Sequence, residues 1–208
     1  MSKARLEALS DGVFAIVMTL LIFDIKVPKI DGVVTNDALI QQLVILWPHI
    51  LVYAGTFFVL SVMWVNHHFL FQMFAKEVDR RLNLLNLLYL MFVAFFPFSA
   101  SFMGEYHTYQ SATILYGLNL LAITLMSIAM TRYIRLSQGL EHLSQRLLNQ
   151  SRFRFLVTLI CYLLAIVISF WSVYVSLLLY IFPVIFNIIP GTLDFTERLF
   201  GFDLGERV

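Results

Sequence analysis

The chain has 208 residues, of which 60% are hydrophobic and only 13% are charged, and its mean hydropathy is +0.84. Soluble domains carry about 25% charged residues, so this composition excludes a soluble globular domain. The formal net charge of +1 gives no information about a nucleic-acid or acidic partner. Because so few charged side chains cannot cover a water-facing surface, the sequence predicts an all-α integral membrane protein.

Six apolar segments reach the length of about 17 residues or more that a helix needs to cross a bilayer. Pro28 closes the first segment, Pro48 begins the second and Pro97 predicts a kink in the third. A short interfacial helix is expected before Pro48, and an amphipathic one within residues 135–154. The predicted spans are residues 2–27, 47–74, 82–103, 108–134, 155–171 and 173–189, followed by a cytoplasmic tail at 191–208.

Lysine and arginine are distributed unevenly about these spans. With the N-terminus inside, only Lys26 and Lys29 of the 14 basic residues fall outside. The positive-inside rule therefore predicts that both termini are cytoplasmic. The first segment lacks the small-residue cleavage pattern of a signal peptide, so we expect it to remain as a helix.

The first predicted helix carries two different faces. At 100° per residue, Ser10 and Asp11 point away from a mainly apolar stripe. Spacing alone favours ordinary helix packing for the stripe, and a frayed helix start would also account for Ser10 and Asp11. Against the frayed start, Ser2 is the better-placed N-cap and an interior aspartate needs a partner. The stripe consists of Gly12, Ile16, Thr19, Leu20 and Phe23.

A polar cluster lies near the cytoplasmic end of the second predicted helix. Its amide and imidazole side chains fan out over about 200° of the helix, so they cannot all bind one ion, and the later helices supply almost no carboxylates at that depth. We therefore expect hydrogen bonds with the polar start of the first helix rather than a metal site. The predicted network consists of Arg5, Ser10, Asp11, Trp64, Asn66, His67 and His68.

The other polar residues of the spans are expected to form hydrogen bonds between helices rather than a catalytic or binding site. Interhelical hydrogen bonds in membranes contribute about 0.6 kcal/mol each. The chain has no Gly-rich phosphate loop, no His-Glu-x-x-His, no serine nucleophile elbow and no Thr-Val-Gly-Tyr-Gly filter. We expect neither enzyme activity nor a cofactor. The asparagines assigned to interhelical packing are Asn83, Asn86, Asn119 and Asn187.

Three segments resemble the transmembrane protein 175 family of lysosomal potassium channels and their bacterial relatives. Arg5-x-x-x-Leu9-Ser10-Asp11 is similar to the family's Arg-x-x-x-Phe-Ser-Asp signature, with leucine in place of phenylalanine. Trp-Val-Asn-His-His at 64–68 and Phe-Phe-Pro-Phe-Ser at 95–99 are also similar, and the resemblance covers most of the chain.

The resemblance implies a potassium-permeable cation channel, assembled as a homotetramer around its first helices, in the cell membrane (the inner membrane of a bacterium). Ile16 would form the main constriction, with Thr19, Leu20 and Phe23 also lining the pore. The polar network would support the pore helix from behind. Stacked apolar rings would give modest selectivity for potassium over sodium, because they offer few ligands in place of ion hydration.

Other functions remain open from the residues alone. A secondary transporter or proton-coupled carrier would use Asp11, although that residue lies nearer the cytoplasmic end than the midplane. A membrane enzyme would use His67 and His68, but partner residues are few. A scaffold without transport activity also fits the composition.

Overall fold

The computed structural model describes residues 2–30, 33–138 and 145–188, and all regular secondary structure in these ranges is helical. A 3-10 segment, Leu21–Asp24, extends the first helix. The predicted tail at 191–208 lies outside the described residues. The helices are α1 (Lys3–Leu20), α2 (Asn36–Ile45), α3 (Trp47–Phe74), α4 (Arg80–Ala94), α5 (Phe96–Glu105), α6 (Gln110–Ser137), α7 (Gln145–Ile168) and α8 (Val173–Ile188).

Five segments of the described chain are long and apolar enough to cross a membrane. The sixth predicted span corresponds to α8, whose 16 residues extend about 24 Å, less than the roughly 30 Å of a bilayer core. The count of six spans and the cytoplasmic termini therefore stay predictions. The five segments are Lys3–Asp24, Trp47–Phe74, Arg80–Glu105, Gln110–Ser137 and Asn149–Ile168.

Proline determines where the third apolar segment breaks. Pro97 occupies the first turn of α5, where its missing N–H costs no helical hydrogen bond. Helix α4 ends just before, and the N–H of Phe95 closes it on the carbonyls of Met91 and Phe92 at 3.2 Å each. Helix α7 begins at Gln145 and contains no proline or glycine. It therefore includes part of the amphipathic segment predicted within residues 135–154 as well as most of the predicted fifth span.

Helix α1 is held between its neighbours rather than at the centre of the bundle. It contacts α3 and α4, whereas α6 packs against α4, α5 and α7, and α7 and α8 pair with each other. Many large apolar side chains remain on the outside of the chain, as a hydrocarbon solvent requires. Those exposed by more than half include Ile40, Leu51, Phe69, Leu118, Leu156 and Leu178.

The bundle has two chemically different ends. At the Lys3 end, the Lys3 ammonium lies 3.4 Å from the carbonyl of Gln72 near the end of α3. At the opposite end, called the Asp24 end, a cavity of about 320 Å³ is lined by Asp24, His49 and Glu105, among others. The charge distribution predicts that the Asp24 end faces outside.

The link between α3 and α4 is hydrogen-bonded to Gln138, the C-cap residue of α6, at the Lys3 end. The side-chain oxygen of Gln138 accepts the N–H of Lys76 at 2.5 Å, and its amide nitrogen donates to the carbonyl of Glu77 at 2.7 Å. Asp79 caps α4 by accepting the N–H of Leu82 at 2.9 Å, and it also accepts the hydroxyl of Tyr133. The hydrogen bond from Tyr133, followed by that from Leu82, holds the pKa of Asp79 below its ordinary value of 3.8.

Acid should therefore remove the stabilisation that Asp79 provides. A carboxyl whose pKa is lower in the folded state contributes stability above its unfolded pKa, and the contribution disappears as pH falls through the folded pKa. We expect wild-type protein to melt above the Asp79→Asn variant at about pH 7 and the gap to shrink near pH 3. Melting temperatures in detergent measure this gap; a gap independent of pH would contradict the role given to the carboxylate.

Candidate functional site

The two faces of α1 meet different surroundings. Leu6, Ser10, Phe14 and Val17 are buried on one side, with exposures between 0% and 3%. Leu21 continues this side into the 3-10 segment. The buried set follows the i, i+4, i+8 spacing of one helix face. One side of α1 is therefore packed against the other helices of its own chain.

The stripe lies on the opposite, exposed side of α1. Ile16 is 59% exposed, Leu20 44% and Phe23 73%, and Thr19 is also exposed. A Cβ added at Gly12 would have no atom within 4 Å. These side chains are available to whatever lies beyond the single chain.

Asn86 of α4 joins the buried face of α1 to α3. The ring nitrogen Nε2 of His67 lies 2.7 Å from the side-chain oxygen of Asn86, and the Asn86 amide nitrogen donates to Ser10 Oγ at 3.1 Å. Ser10 in turn donates to the carbonyl of Leu6 at 3.0 Å. Because the Asn86 oxygen can only accept, Nε2 of His67 carries the proton in this chain of bonds. These buried hydrogen bonds thus link α1, α3 and α4, and each bond has a defined donor and acceptor.

Aromatic rings enclose His67 and exclude water from this link. Its ring stacks on Tyr89 at a centroid separation of 5.1 Å and lies 4.7 Å from Phe71. Phe14 of α1 contacts the same imidazole at 6.0 Å. A hydrogen bond in such surroundings is costly to leave unmade, because the freed polar atoms cannot turn to solvent.

A second link joins α1 to α3 nearer the surface. The indole N–H of Trp64 donates to Asp11 Oδ1 at 2.8 Å, and the Trp64 ring stacks on His68 at 5.7 Å. The structure thus identifies the α3 partner of Asp11, which the sequence did not distinguish among four residues. Asp11 is bonded to a neighbouring helix, as a supporting residue would be.

Two residues of the predicted network stand apart from these links. Arg5 and Asn66 are both exposed, and neither side chain forms a hydrogen bond or ion pair with any residue in the described ranges. Within one chain the structure therefore brings together five predicted members and leaves these two outside. Any partner of theirs must come from beyond the described residues.

The sequence predicts only general interhelical packing for Asn86, whereas the structure places this residue at the centre of the network. One signal was available: Asn86 lies in the first half of α4, at the same end of the bundle as Ser10 and His67. A buried amide can both donate and accept, which suits it to bridge a hydroxyl and an imidazole. Depth in the bundle, rather than spacing along one helix, would have identified it.

Thr19 presents an acceptor oxygen on the exposed stripe. Its hydroxyl proton is engaged, since Oγ1 lies 2.8 Å from the carbonyl of Ile16 and 3.0 Å from that of Ala15. Because Thr19 is exposed, its Oγ1 can still accept a hydrogen bond or contact a cation from outside α1. In the described part of the chain, no cluster of three or more His, Cys, Asp or Glu side chains could hold a metal ion.

These features define a class: a helical membrane protein whose first helix is bonded along one face and exposed along the other. A model of the family described as endosomal/lysosomal potassium channel TMEM175 matches residues 5–97. A potassium channel of a Chryseobacterium species is 30% identical over 190 residues, which cover 91% of this chain and 94% of that relative. The chain belongs to the TMEM175 family, a family of ion channels and not of enzymes.

Two further comparisons agree with this membership. A potassium channel of Streptomyces collinus is 50% identical over 104 residues, 50% of this chain, and the match spans about half (48%) of that relative's length. The crystal structure of a lysosomal potassium-selective channel TMEM175 homolog from Chamaesiphon minutus has a TM-score of 0.77 at 31% identity. That match covers 88% of this chain and 95% of the other, so the likeness of fold extends well beyond residues 5–97.

Proposed function

We propose that this chain forms a potassium-permeable cation channel in which the α1 helices of four subunits surround one pore. The observation that carries the proposal is the exposed stripe of α1, set opposite a face that is bonded into the same chain. A pore helix needs both properties: one face open to the ion pathway and the other fixed by its own subunit. Relatives named potassium channels support the choice of ion.

Exposed polar groups support assembly around this part of the chain. Asn66 lies eight residues before the end of α3, about 12 Å along the helix, and its side chain is exposed. Asp11 on the neighbouring α1 is also only partly buried within its own chain. Polar side chains at such depth are costly against lipid and belong at subunit contacts or beside water. Neighbouring subunits would cover them, and they supply the partners that Arg5 and Asn66 lack within the chain.

The stripe would give the pore its chemical character. Ile16 to Leu20 is helical and Leu21–Asp24 is a 3-10 segment, so Ile16 and Phe23 lie about 12 Å apart along the axis. Four copies would stack apolar rings at Ile16, Leu20 and Phe23, with the Thr19 oxygens between them. Ile16 would form the constriction, which can close by dewetting. Selectivity for potassium over sodium would be modest, because only the Thr19 ring offers oxygen ligands.

Asp11 gives little support to the alternative of a carrier. A proton-coupled site would need an acid free to exchange protons near the midplane, whereas Asp11 accepts the Trp64 indole at 2.8 Å. The two functions differ in rate, since a carrier turns over at about 10³ per second or less.

Replacing Ile16 with asparagine should change the conductance or the ion preference. Four amide side chains would bind water and ions where the narrowest ring is otherwise apolar. Ile160→Asn in α7 is the matched control, since Ile160 is also exposed (46%) but lies on a helix with no proposed role in the pore. Planar-bilayer recordings of purified protein measure both variants. If Ile16→Asn conducts as wild type does, Ile16 is not the constriction.

A further inference from the structure

The cavity at the Asp24 end lies where three membrane segments end. Asp24 is the last residue of the first segment, His49 lies in the first turn of the second, and Glu105 is the last residue of the third. Exposed aromatic side chains of the kind enriched at membrane–water interfaces mark the same level, namely Trp47, Tyr106 and Tyr109. The cavity of about 320 Å³ therefore lies at the depth of the lipid headgroups.

Gly104 lets the three segments approach one another at this cavity. A Cβ at this buried position would lie 3.0 Å from the His49 ring and 3.3 Å from Asp24 Oδ2. Asp24 is held there because its Oδ1 accepts the hydroxyl of Ser101 on α5 at 2.5 Å. The carboxylate at the end of the first segment is thus fixed in the cavity wall beside α5.

Two carboxylates of the cavity keep unused acceptor oxygens. Oδ2 of Asp24 and Oε1 of Glu105 form no hydrogen bond with any residue that the structure describes. The other oxygen of Glu105 has only a contact of 3.4 Å with His49 Nε2, which is long for a hydrogen bond. A ligand with a primary ammonium group would supply both the N–H donors and the positive charge that these oxygens lack.

Aromatic rings on one face of α5 line the rest of the cavity. Phe98, Phe102 and Tyr106 recur every four residues, and their successive ring centroids are 6.2 Å and 4.9 Å apart. Phe98 is 55% exposed and lies about 10 Å deeper along α5 than Glu105. The cavity is therefore polar at the membrane surface and apolar toward the hydrocarbon, as a bound lipid would require.

Lys26 gives the cavity a mixed charge. Its exposed side chain lines the same cavity as the carboxylates of Asp24 and Glu105. A simple cation would be repelled by Lys26, and a simple anion would be repelled by the two carboxylates. A headgroup that carries both a phosphate and an ammonium group matches charges of both signs.

We propose that this cavity binds the headgroup of a phospholipid of the phosphatidylethanolamine type. The ammonium group pairs with Asp24 and Glu105, the phosphate pairs with Lys26, and the first acyl methylene groups pack against Phe98. A choline headgroup fits less well, because its quaternary nitrogen has no N–H to donate. This inference does not rest on the proposed function, since lipid binding is measured without ion conduction.

The test is native mass spectrometry of purified protein in detergent with equal amounts of phosphatidylethanolamine, phosphatidylcholine and phosphatidylglycerol. Wild type should retain phosphatidylethanolamine about threefold more than either other lipid, the factor that one partly exposed ion pair provides. Glu105→Gln should bring this preference close to equality, and Lys26→Gln should lower the retention of phosphatidylethanolamine about threefold. The matched controls are Glu77→Gln, at the Lys3 end, and Lys29→Gln, outside the cavity lining; both should behave as wild type does.

Equal retention of the three lipids by wild type, or an unchanged preference in Glu105→Gln, would overturn the inference. Loss of the preference in either control variant would also overturn it, because the site would then lie elsewhere. Protein that shows the expected preference but conducts no cations would contradict the channel and leave the lipid site standing.

Soluble phosphoethanolamine separates a lipid from a free small molecule, because it carries the same two charges without acyl chains. Phosphatidylethanolamine should raise the melting temperature of wild type in detergent, and soluble phosphoethanolamine at the same concentration should raise it less. An equal rise with the soluble compound would show that the acyl chains contribute nothing and would overturn the assignment to a lipid.

Discussion

Replacing Gly117 with alanine should destabilise the protein strongly, although the substitution adds only one methyl group. A Cβ at this position of α6 would lie 2.0 Å from the hydroxyl oxygen of Tyr180 and 2.9 Å from Ile166. Tyr180 is 1% exposed and donates to the carbonyl of Thr113 at 3.0 Å, so its rigid ring cannot move aside without breaking that bond. We expect a loss of about 3 kcal/mol or more in the free energy of unfolding.

Gly55→Ala provides the matched control for this prediction. It is also a glycine inside a long apolar helix, but an added Cβ would meet only Ile181, at 3.9 Å. Removing a helical glycine should leave stability unchanged or raise it by about 0.5–1 kcal/mol. Unfolding of both variants in mixed micelles measures the difference. Equal stability of the two would show that α6 and α8 are not packed as closely as the structure indicates.

Asn86→Leu should cause the second large loss, because it removes the residue that bonds both Ser10 and His67. The Nε2 proton of His67 would be left unpaired among aromatic rings, and Ser10 would lose a donor. Leaving a buried polar group unsatisfied costs about 1–3 kcal/mol. Asn66→Leu is the control, since the exposed side chain of Asn66 makes no hydrogen bond to the described residues.

The same pair of variants separates stability from assembly. Asn86→Leu should lower the melting temperature of the isolated chain, because its bonds are internal. Asn66→Leu should leave the monomer intact and weaken the oligomer, since its exposed amide would face a neighbouring subunit. Size measurements in detergent together with melting curves distinguish these effects. An unchanged melting temperature in Asn86→Leu would contradict the network.

Helical periodicity was enough to separate the two faces of α1. Successive residues of a helix are 100° apart, so Ser10 and Ile16 lie about 120° apart around α1 and were predicted to meet different surroundings. In the structure Ser10 is buried and Ile16 is exposed. The break near Pro97 was equally accessible, because proline cannot continue a hydrogen-bonded helix. Both features depend on local chemistry within a few residues.

Features that depend on depth and neighbours were not accessible in the same way. Asn86 belongs to the network only because α4 places it at the same depth in the bundle as Ser10 and His67. The spacing of residues within α4 does not indicate that depth. The approach of His49 and Asp24 to Gly104 requires the packing of three segments that lie far apart in sequence. The partner of Asp11 among the four candidate residues likewise depends on which side chain extends far enough to contact it.

One recording tests the central claim, that four α1 stripes enclose a potassium pathway. Purified wild-type protein in a planar bilayer, with potassium on one side and sodium on the other, should produce discrete single-channel steps. Their reversal potential should lie modestly toward the potassium equilibrium potential, and an imposed pH gradient should shift it little. Saturable flux of about 10³ ions per second or less, without steps, would contradict the account and favour a carrier.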